Sequence, residues 1–330
     1  MKIFRIILGA ILCFSIIFTF TFGHKKINED HYFGKAEDYK GIITIWQVDS
    51  FEGGVGSRKQ FLLKVAREFE KQNPGILIMV VDRTPESVKE SMENGDVPDM
   101  VSFGVGVSVS NFIELKDLPT TNGGMVGEKT CAVPWCRGGY VLIANPKLTS
   151  EIPREIETLL ISQGEYNLST TAVAVEGIKV KSVTVKKPMD AYVQFVEGKT
   201  PYFLGTQRDI HRLERRGFEV ITKPMTKYND LYQYVSVTTT STLKSYYSER
   251  FIELLLSEIV QKSLSDIGMF GVIKKVEYQN SHLINMQNIE CEKTISAFTQ
   301  KENVQNLSLD SLSFLLGEKE REIKIKNMLI

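Results

Sequence analysis

A glycine-rich stretch, DSFEGGVGSRKQF at 49–61, carries residue types that could bind a ligand. It lies between an apolar run and a segment with helical periodicity, which is where phosphate-binding loops occur. A P-loop needs a lysine beside a Ser or Thr after its glycines, whereas Ser57 and an arginine follow them here. Asp49 and Glu52 would place negative charge beside a phosphate, and the glycine spacing does not fit the dinucleotide-binding pattern. The stretch therefore does not predict a nucleotide site.

A polar, uncharged solute suits these residues better. Carboxylates such as Asp49 and Glu52 accept hydrogen bonds from hydroxyl groups, and an aromatic face such as that of Trp46 can stack on the C–H side of a sugar ring. Ser57 is placed to cap a helix whatever the ligand is. Two carboxylates could also serve a glycosidase, but a pair so close in sequence is a poor predictor of the separation that this chemistry needs. The sequence has no G-x-S-x-G or H-E-x-x-H motif.

The elements that would position these residues alternate between strand and helix. A strand precedes the glycine-rich loop, and apolar residues then recur at helical spacing from Phe61 to Phe69. The same reasoning predicts a strand, a short helix and a second strand at 76–81, 87–93 and 100–103. This alternation indicates a parallel sheet with helices on both faces. Because open sheets bind ligands at the carboxyl ends of their strands, the glycine-rich loop and the residues after Phe103 are expected at one edge.

The rest of the chain predicts further elements of both types. Strands are predicted at 165–187, after the turn within 198–205, and at 231–237. Helices are predicted at 190–197, 208–216, 251–264 and 309–329.

Composition excludes several classes of protein. The 330 residues suffice for two domains, and 40 basic residues balance 40 acidic ones, so nucleic acid is not an expected partner. Beyond Cys13 the chain has Cys131, Cys136 and Cys291, an odd number that does not fit a disulfide scaffold. No histidine lies near them in sequence, so neither a metal site nor a cofactor is predicted. Buried free thiols are the expected state of these residues.

The N-terminal segment differs from the remainder. Basic residues precede an uncharged apolar run at 6–22, which predicts that 1–23 is a secretory signal peptide or an uncleaved membrane anchor. The bulky leucine before Cys13 disfavours acylation of that cysteine. The polar, aperiodic segment 24–40 is interpreted as a tether. The bulk of the chain is therefore expected outside the cytoplasm.

Five blocks of sequence, taken together and in order, form a pattern that is more specific than any one of them alone. They are ITIWQVDSFEGGVGSRKQFLLKVAREFEKQNPGI, ENGDVPDMVSFG, CAVPWCRGGYVLIANPKL, FVEGKTPYFLGTQRDI and FIELLLSEIVQKSLSDIGMFGV. In this order they resemble the extracellular solute-binding proteins of sugar-type ABC importers, the maltose-binding-like family. The resemblance covers about 41–277.

The resemblance implies an α/β fold with two lobes, the type II periplasmic-binding-protein-like fold. Mixed or parallel sheets with helices on both faces would form the lobes, and a hinge would join them. Lobe 1 is expected to comprise 41–140 plus 231–271, and lobe 2 to comprise 141–230 plus 272–330. The second lobe is expected to be short, because 148–190 leaves little room for the helices that the family usually has there.

The resemblance also implies which residues line the cleft between the lobes. The expected ligand-binding residues are Trp46, Asp49, Glu52, Ser57, Arg58, Phe103, Trp135, Arg137, Gln207, Arg208 and Asp209. On residue type alone, Trp46 suits a hydrophobic core as well as a cleft wall, and Phe103 suits the core better. Where the family often has an aromatic platform in the second lobe, this chain has Gln207 and Arg208, which admits a solute with an acidic or strongly polar group.

The predicted function is extracytoplasmic capture of a small polar solute, which the resemblance indicates to be a carbohydrate. The implied partners are that solute, an ABC transporter permease and, through the N-terminal segment, the membrane. A membrane-tethered ligand sensor, or a degenerate binding protein without a transport role, is the alternative. A glycoside-acting enzyme is a further rival, although the sequence predicts no enzyme.

Overall fold

The computed structural model describes residues 39–116 and 118–330, so the predicted signal or anchor at 1–23 and most of the predicted tether lie outside it. The strands are β1 Gly41–Val48, β2 Ile76–Arg83, β3 Met100–Phe103, β4 Met125–Val126, β5 Lys129–Thr130, β6 Val133–Arg137, β7 Tyr140–Ala144, β8 Glu155–Ser162, β9 Lys179–Lys186, β10 Tyr202–Thr206, β11 Ile221–Pro224 and β12 Tyr232–Val237. The helices are α1 Arg58–Gln72, α2 Pro85–Glu93, α3 Ser169–Glu176, α4 Pro188–Val196, α5 Gln207–Arg215, α6 Thr242–Leu255, α7 Glu258–Lys262, α8 Ser281–Gln287, α9 Lys301–Leu315 and α10 Arg321–Met328. Short 3-10 turns lie at Asn122–Gly124 and Ser263–Ile267. None of the helices in these ranges is both long and apolar enough to cross a membrane.

The first sheet is mixed and has the strand order β2-β1-β3-β12-β6. β1 pairs in parallel with β2 and β3, whereas β12 is antiparallel to both β3 and β6. Side chains of a strand alternate between its two faces, so β1 contributes to two helix layers. Ile43 and Ile45 belong to the apolar cluster that α1 and α6 close, and Trp46 belongs to the cluster that Val88 and Met92 of α2 close.

Helix α1 follows the glycine-rich loop for reasons that are visible in its sequence. The hydroxyl of Ser57 accepts a hydrogen bond from the backbone N–H of Gln60 at 3.3 Å, which confirms the predicted N-cap. The helix buries one face at helical spacing, with Phe61 and Phe69 at its two ends. The helix ends at Gln72, and the following sequence Asn-Pro-Gly cannot continue it. The loop before α1 is thereby held between two buried elements.

The second sheet has the strand order β11-β7-β10-β8-β9. β10 and β9 run parallel to β8, and β7 is antiparallel to β10 and β11. α3 and α9 cover one face, where Ala172, Leu159 and Val304 share an apolar cluster. α4, α5 and α8 cover the other face, where Phe195, Phe203 and residues of the two other helices form a second cluster.

Three chain segments meet where the chain passes between the two sheets. The backbone N–H of Gly138 donates to the carbonyl oxygen of Leu231 at 2.6 Å. Arg137 and Phe270 exchange two backbone hydrogen bonds, of 3.0 and 2.9 Å. The side-chain amide of Asn229 donates to the carbonyl of Gly138 at 3.2 Å. These contacts bundle the crossing segments into one narrow junction.

The structure differs from the sequence predictions in three places. The predicted strands at 165–187 contain α3, because the Val- and Thr-rich segment is buried against α9, where Thr171 and Ser311 hydroxyls bond at 2.9 Å, and Gly177 at φ +78° ends it. The helix predicted at 251–264 begins earlier, at Thr242, and breaks after Leu255. The helix predicted from residue 309 begins at Lys301. Polar residues on these helices weaken the apolar periodicity from which the first residue of a helix is predicted.

The three cysteines that the structure describes were predicted to be buried free thiols. Cys131 and Cys136 are free and buried, which confirms the prediction for these two thiols, and Cys291 is free and half-buried. Burial raises the pKa of the Cys291 thiol to about 11, so it is protonated at neutral pH.

Candidate functional site

The loop after β1 lies against the first turns of α5, which belongs to the second sheet. The carboxylate of Glu52 in this loop pairs with the guanidinium of Arg208 at 3.2 Å and also with that of Arg212. Arg212 reaches Asp209 as well, at 3.3 Å. The Glu52 side chain is 31% exposed, so the cluster is screened only in part from solvent. This contact joins the two sheets through charged groups.

Burial perturbs the ionisable groups of this cluster. Desolvation raises the pKa of Asp209 to about 6, although the Thr206 backbone N–H and Arg212 favour its charged form. Desolvation also lowers the pKa of Arg208 from its ordinary value, an effect that the nearby Glu52 opposes. Asp209 additionally accepts a hydrogen bond of 2.9 Å from the backbone N–H of Thr206, which closes the capping box of α5. The carboxylate of Asp209 is therefore held in place by the start of the helix.

Arg58 holds the glycine-rich loop from inside. Only 4% of its side chain is exposed, and its Nε pairs with Asp49 at 2.7 Å. Its terminal nitrogens donate to the side-chain oxygen of Gln233 at 2.8 Å and to the carbonyl oxygen of Phe51 at 2.5 Å. Its guanidinium also lies 4.4 Å from the centroid of the Phe51 ring. Arg58 thus anchors the loop, and its donors are already engaged by the protein.

The glycines of the loop allow a close backbone approach. Gly54 has φ +73°, and a Cβ at this position would collide with the carbonyl oxygen of Ile267. The next residue, Val55, donates its backbone N–H to that same carbonyl at 2.9 Å. The glycines therefore have a structural role, because they let the backbone of the loop pack on the 3-10 turn Ser263–Ile267.

The three aromatic side chains that were predicted to contact the solute lie in the core. Trp46 is 2% exposed, and Phe103 and Trp135 are 0% exposed. Trp135 donates its indole N–H to the hydroxyl of Ser102 at 3.0 Å and stacks on Phe61 with ring centroids 5.7 Å apart. Helices cover both faces of the first sheet at these three positions, although side chains nearer its β2 edge, such as Leu77 and Met79, are exposed. In this conformation these three aromatic side chains are enclosed beneath the glycine-rich loop.

Two further predicted residues, Gln207 and Arg137, form hydrogen bonds at the junction between the sheets. Gln207 is fully buried and accepts a hydrogen bond of 3.1 Å from the backbone N–H of Gly139. Arg137 donates to the carbonyl oxygen of Gln287 at 2.6 Å, and its guanidinium lies 5.4 Å from the ring centroid of Phe270. The structure therefore brings Glu52, Arg208 and Asp209 together, and it leaves Gln207 and Arg137 in positioning roles.

Arg212 was missed by sequence reasoning. It lies one helical turn after Arg208, so its position on the same face of α5 is a signal that the sequence contained.

A second charged contact joins the two sheets, and no local pattern in the sequence predicts it. Glu86, in the first turn of α2, accepts a hydrogen bond from the Tyr166 hydroxyl and pairs with Lys301 at 3.0 Å. Lys301 also pairs with Glu165 at 3.2 Å. The Tyr166 hydrogen bond and the Lys301 ammonium lower the pKa of Glu86 to about 2. These residues are distant in sequence, so only the fold brings them together.

Two buried polar atoms at the same edge of the first sheet have no hydrogen-bond partner among residues 39–116 and 118–330. They are Oε1 of Gln47 and the hydroxyl oxygen of Ser50, in side chains that are buried at the carboxyl end of β1. The Nε2 of Gln47 donates to Asp49 at 2.9 Å, which fixes the direction of its oxygen. Buried polar atoms are normally paired, so these two could serve a bound solute or water.

A cavity of about 520 Å³ lies elsewhere, beside α5 and β11. Ile210, Phe218 and His282 are among its lining residues, and none of the predicted site residues lines it. Within the described ranges, no group of histidine, cysteine and acidic side chains is placed to hold a metal ion.

No protein-family model matches the chain, and no curated protein matches it. Solved structures do match. The apo form of RafE from Streptococcus pneumoniae has a TM-score of 0.58 and 16% identity, over 88% of this chain and 98% of that one. The maltose-maltodextrin binding protein of Alicyclobacillus acidocaldarius has a TM-score of 0.56 and 14% identity, over 87% and 98%. The GacH receptor of Streptomyces glaucescens has a TM-score of 0.55 and 14% identity, over 84% and 94%.

These matches show the fold. The chain has the two-lobed α/β fold of periplasmic binding proteins, with one mixed sheet in each lobe and helices on both faces of each, as the sequence predicted. The contact between the glycine-rich loop and α5 lies between the two lobes.

Proposed function

We propose that the chain is an extracytoplasmic solute-binding protein that captures a small polar solute, a carbohydrate, between its lobes and delivers it to an ABC permease. The observation that carries this proposal is the meeting of the β1 carboxyl-end loop with the start of α5, since ligands of open sheets bind at that edge. Similar structures support it: RafE was solved with raffinose, and a binding protein from Bifidobacterium longum with lacto-N-biose. The solute leaves chemically unchanged.

The lobes are assigned as 41–140 plus 231–271 and 141–230 plus 272–330. The hydrogen bonds that join Gly138 to Leu231 and Arg137 to Phe270 support this division, because they lie where the chain changes sheets. Within 272–330, however, Ala297 and Phe298 pack with Phe103 of the first sheet. The hydrogen bonds also make this junction the hinge about which the lobes would close.

Glu52, Arg208 and Asp209 are assigned to the cleft, together with Arg212. The remaining predicted residues act in support: Asp49, Ser57, Arg58, Arg137 and Gln207 fix the loop and the junction, and Trp46, Phe103 and Trp135 pack beneath it. The protein acts outside the cytoplasm, either secreted or held at the outer face of the membrane by 1–23.

A second candidate function is a membrane-tethered sensor or a binding protein that no longer transports. One observation favours it: Glu52 and Glu86 join the lobes through the protein's own ion pairs, so closure has a contribution that needs no solute. A permease that recognises only the solute-loaded form would gain nothing from such pairs.

A thermal-shift screen with raffinose, lacto-N-biose and maltodextrins tests the proposed function. A solute at 100 times its Kd stabilises the folded state by about 2.7 kcal/mol, which is a readily measured shift. Sugar analysis of the same mixtures after incubation distinguishes binding from hydrolysis. Melting temperatures that neither these neutral sugars nor an acidic one, digalacturonate, changes would contradict the proposal, and released monosaccharides would show an enzyme instead.

A further inference from the structure

We propose that the solute carries a carboxylate, which replaces the carboxylate of Glu52 between Arg208 and Arg212. This inference rests on the proposed function and specifies the class of solute that the same cleft takes. Two guanidinium groups from one helix of the second lobe converge on a single carboxylate from the first lobe. Guanidinium groups are the preferred protein ligands of carboxylates because their donors form a planar fork.

The surroundings favour recognition by charge. The aromatic side chains that could stack on a neutral sugar ring, Trp46, Phe103 and Trp135, are enclosed in the core. Where the glycine-rich loop meets α5, the charged groups are guanidinium and carboxylate groups. Gln47 and Ser50 offer buried polar atoms at the same sheet edge that have no partner in the part of the chain that the structure describes, and such atoms can bond the hydroxyl groups of the same solute.

Charge balance distinguishes an acidic solute from a neutral one. Arg208 and Arg212 are half-buried, and their formal charges are balanced by Glu52 and Asp209. A neutral solute that displaced Glu52 would leave the two cations with only one carboxylate in a partly desolvated site. Unpaired buried charge is costly, so that exchange is disfavoured. A solute with a carboxylate restores the balance.

The exchange needs little rearrangement of the fold. Glu52 lies on a loop and is 31% exposed, so its side chain can turn into solvent. The rest of the loop stays anchored by Arg58 and by the Val55 hydrogen bond to Ile267.

The test uses the full-length protein in mild detergent and isothermal titration with three probes. They are digalacturonate, its dimethyl ester, which has nearly the same shape without charge, and neutral raffinose. Digalacturonate is expected to bind at least about tenfold more tightly than its ester, which is the ratio that about 1.4 kcal/mol produces.

Three variants locate the effect. Arg212→Gln should lose about tenfold in affinity for digalacturonate, whereas Arg215→Gln, an exposed charge on the same helix, should change it little. Glu52→Gln should bind digalacturonate more tightly than the unaltered protein, because the competing carboxylate is gone.

The outcomes separate this inference from the proposed function. If raffinose binds and digalacturonate binds no better than its ester, the solute class is wrong while the proposed function stands. Weaker binding of digalacturonate to Glu52→Gln would also overturn the exchange. If none of the three probes and none of the sugars in the thermal-shift screen binds, the proposed function itself fails.

Discussion

The guanidinium of Arg58 donates a hydrogen bond of 2.8 Å to Oε1 of Gln233, a residue 175 positions later in the chain. The amide nitrogen of Gln233 in turn donates to the carbonyl oxygen of Val48 at 3.1 Å and to the hydroxyl of Ser102 at 3.0 Å. Residues of β1, β3, β12 and α1 are therefore joined by one buried polar network at the carboxyl edge of the first sheet. This network holds the loop that carries Glu52.

Replacing Arg58 with glutamine should destabilise the protein by about 3 kcal/mol, because it leaves the Gln233 oxygen and the Phe51 carbonyl without their donor. Urea unfolding followed by circular dichroism measures the change. Arg67→Gln, which removes an exposed charge from the same helix, should stay within about 0.5 kcal/mol. Equal effects of the two substitutions would show that Arg58 is not an anchor.

Gly54→Ala should be more costly than Gly95→Ala, although both glycines have positive φ, of +73° and +83°. The added methyl group at Gly54 meets the carbonyl of Ile267, whereas nothing lies within 4 Å at Gly95. The Gly95 substitution should cost about 1 kcal/mol for backbone conformation alone, and the Gly54 substitution clearly more. Chemical denaturation of both variants measures the difference. Similar values would mean that the loop relaxes away from the turn without penalty.

The junction between the two sheets should make stability depend on pH through Asp230. This buried carboxyl accepts a hydrogen bond of 2.9 Å from the Tyr140 hydroxyl and one of 3.1 Å from the Leu168 backbone N–H, and Tyr228 also faces it. Burial raises its pKa from the ordinary value of 3.8 to about 7. Between these values the folded state binds a proton that the unfolded state has released, so the free energy of unfolding falls as pH rises towards 7.

Thermal melts of the unaltered protein and of Asp230→Asn, taken from pH 4.5 to pH 8, test this dependence. The variant should show a weaker decline, because asparagine cannot ionise. Some decline should remain, since burial also raises the pKa of Asp209, which lies beside Arg212 and Glu52. A decline of unchanged slope in Asp230→Asn would exclude Asp230 as its source.

Tryptophan emission should report two enclosed indoles. The chain has two tryptophans, and the structure buries both. Emission should be blue-shifted and weakly quenched by acrylamide in the single-tryptophan variants Trp46→Phe and Trp135→Phe. Strong quenching of Trp135 would instead place it in an open cleft, as the sequence suggested.

Much of the fold could be read from periodicity. β1 and β2 were predicted from short apolar runs, and α1 from apolar residues that recur at helical spacing. α3 was not, because its Val- and Thr-rich residues are buried on most sides and show no amphipathic period.

The site could be read only in part. The motif blocks predicted Glu52, Arg208 and Asp209, and the structure brings these three side chains together with Arg212. The burial of Trp135 was missed because strand periodicity says that faces alternate and does not say which faces are covered. The contact of Glu86 with Tyr166 and Lys301 depends on how the lobes meet, and no local pattern encodes that.

The strand order of the two sheets has a consequence for synthesis. The second sheet is built from one continuous stretch, from Tyr140 to Pro224. The first sheet has β12 between β3 and β6, so its centre stays open until Val237 has emerged. We therefore expect the second sheet to be complete first. Meanwhile the edges of β3 and β6 stay unpaired and need protection from association until β12 is made, 129 residues after the end of β3 (232 − 103) and 95 after the end of β6 (232 − 137).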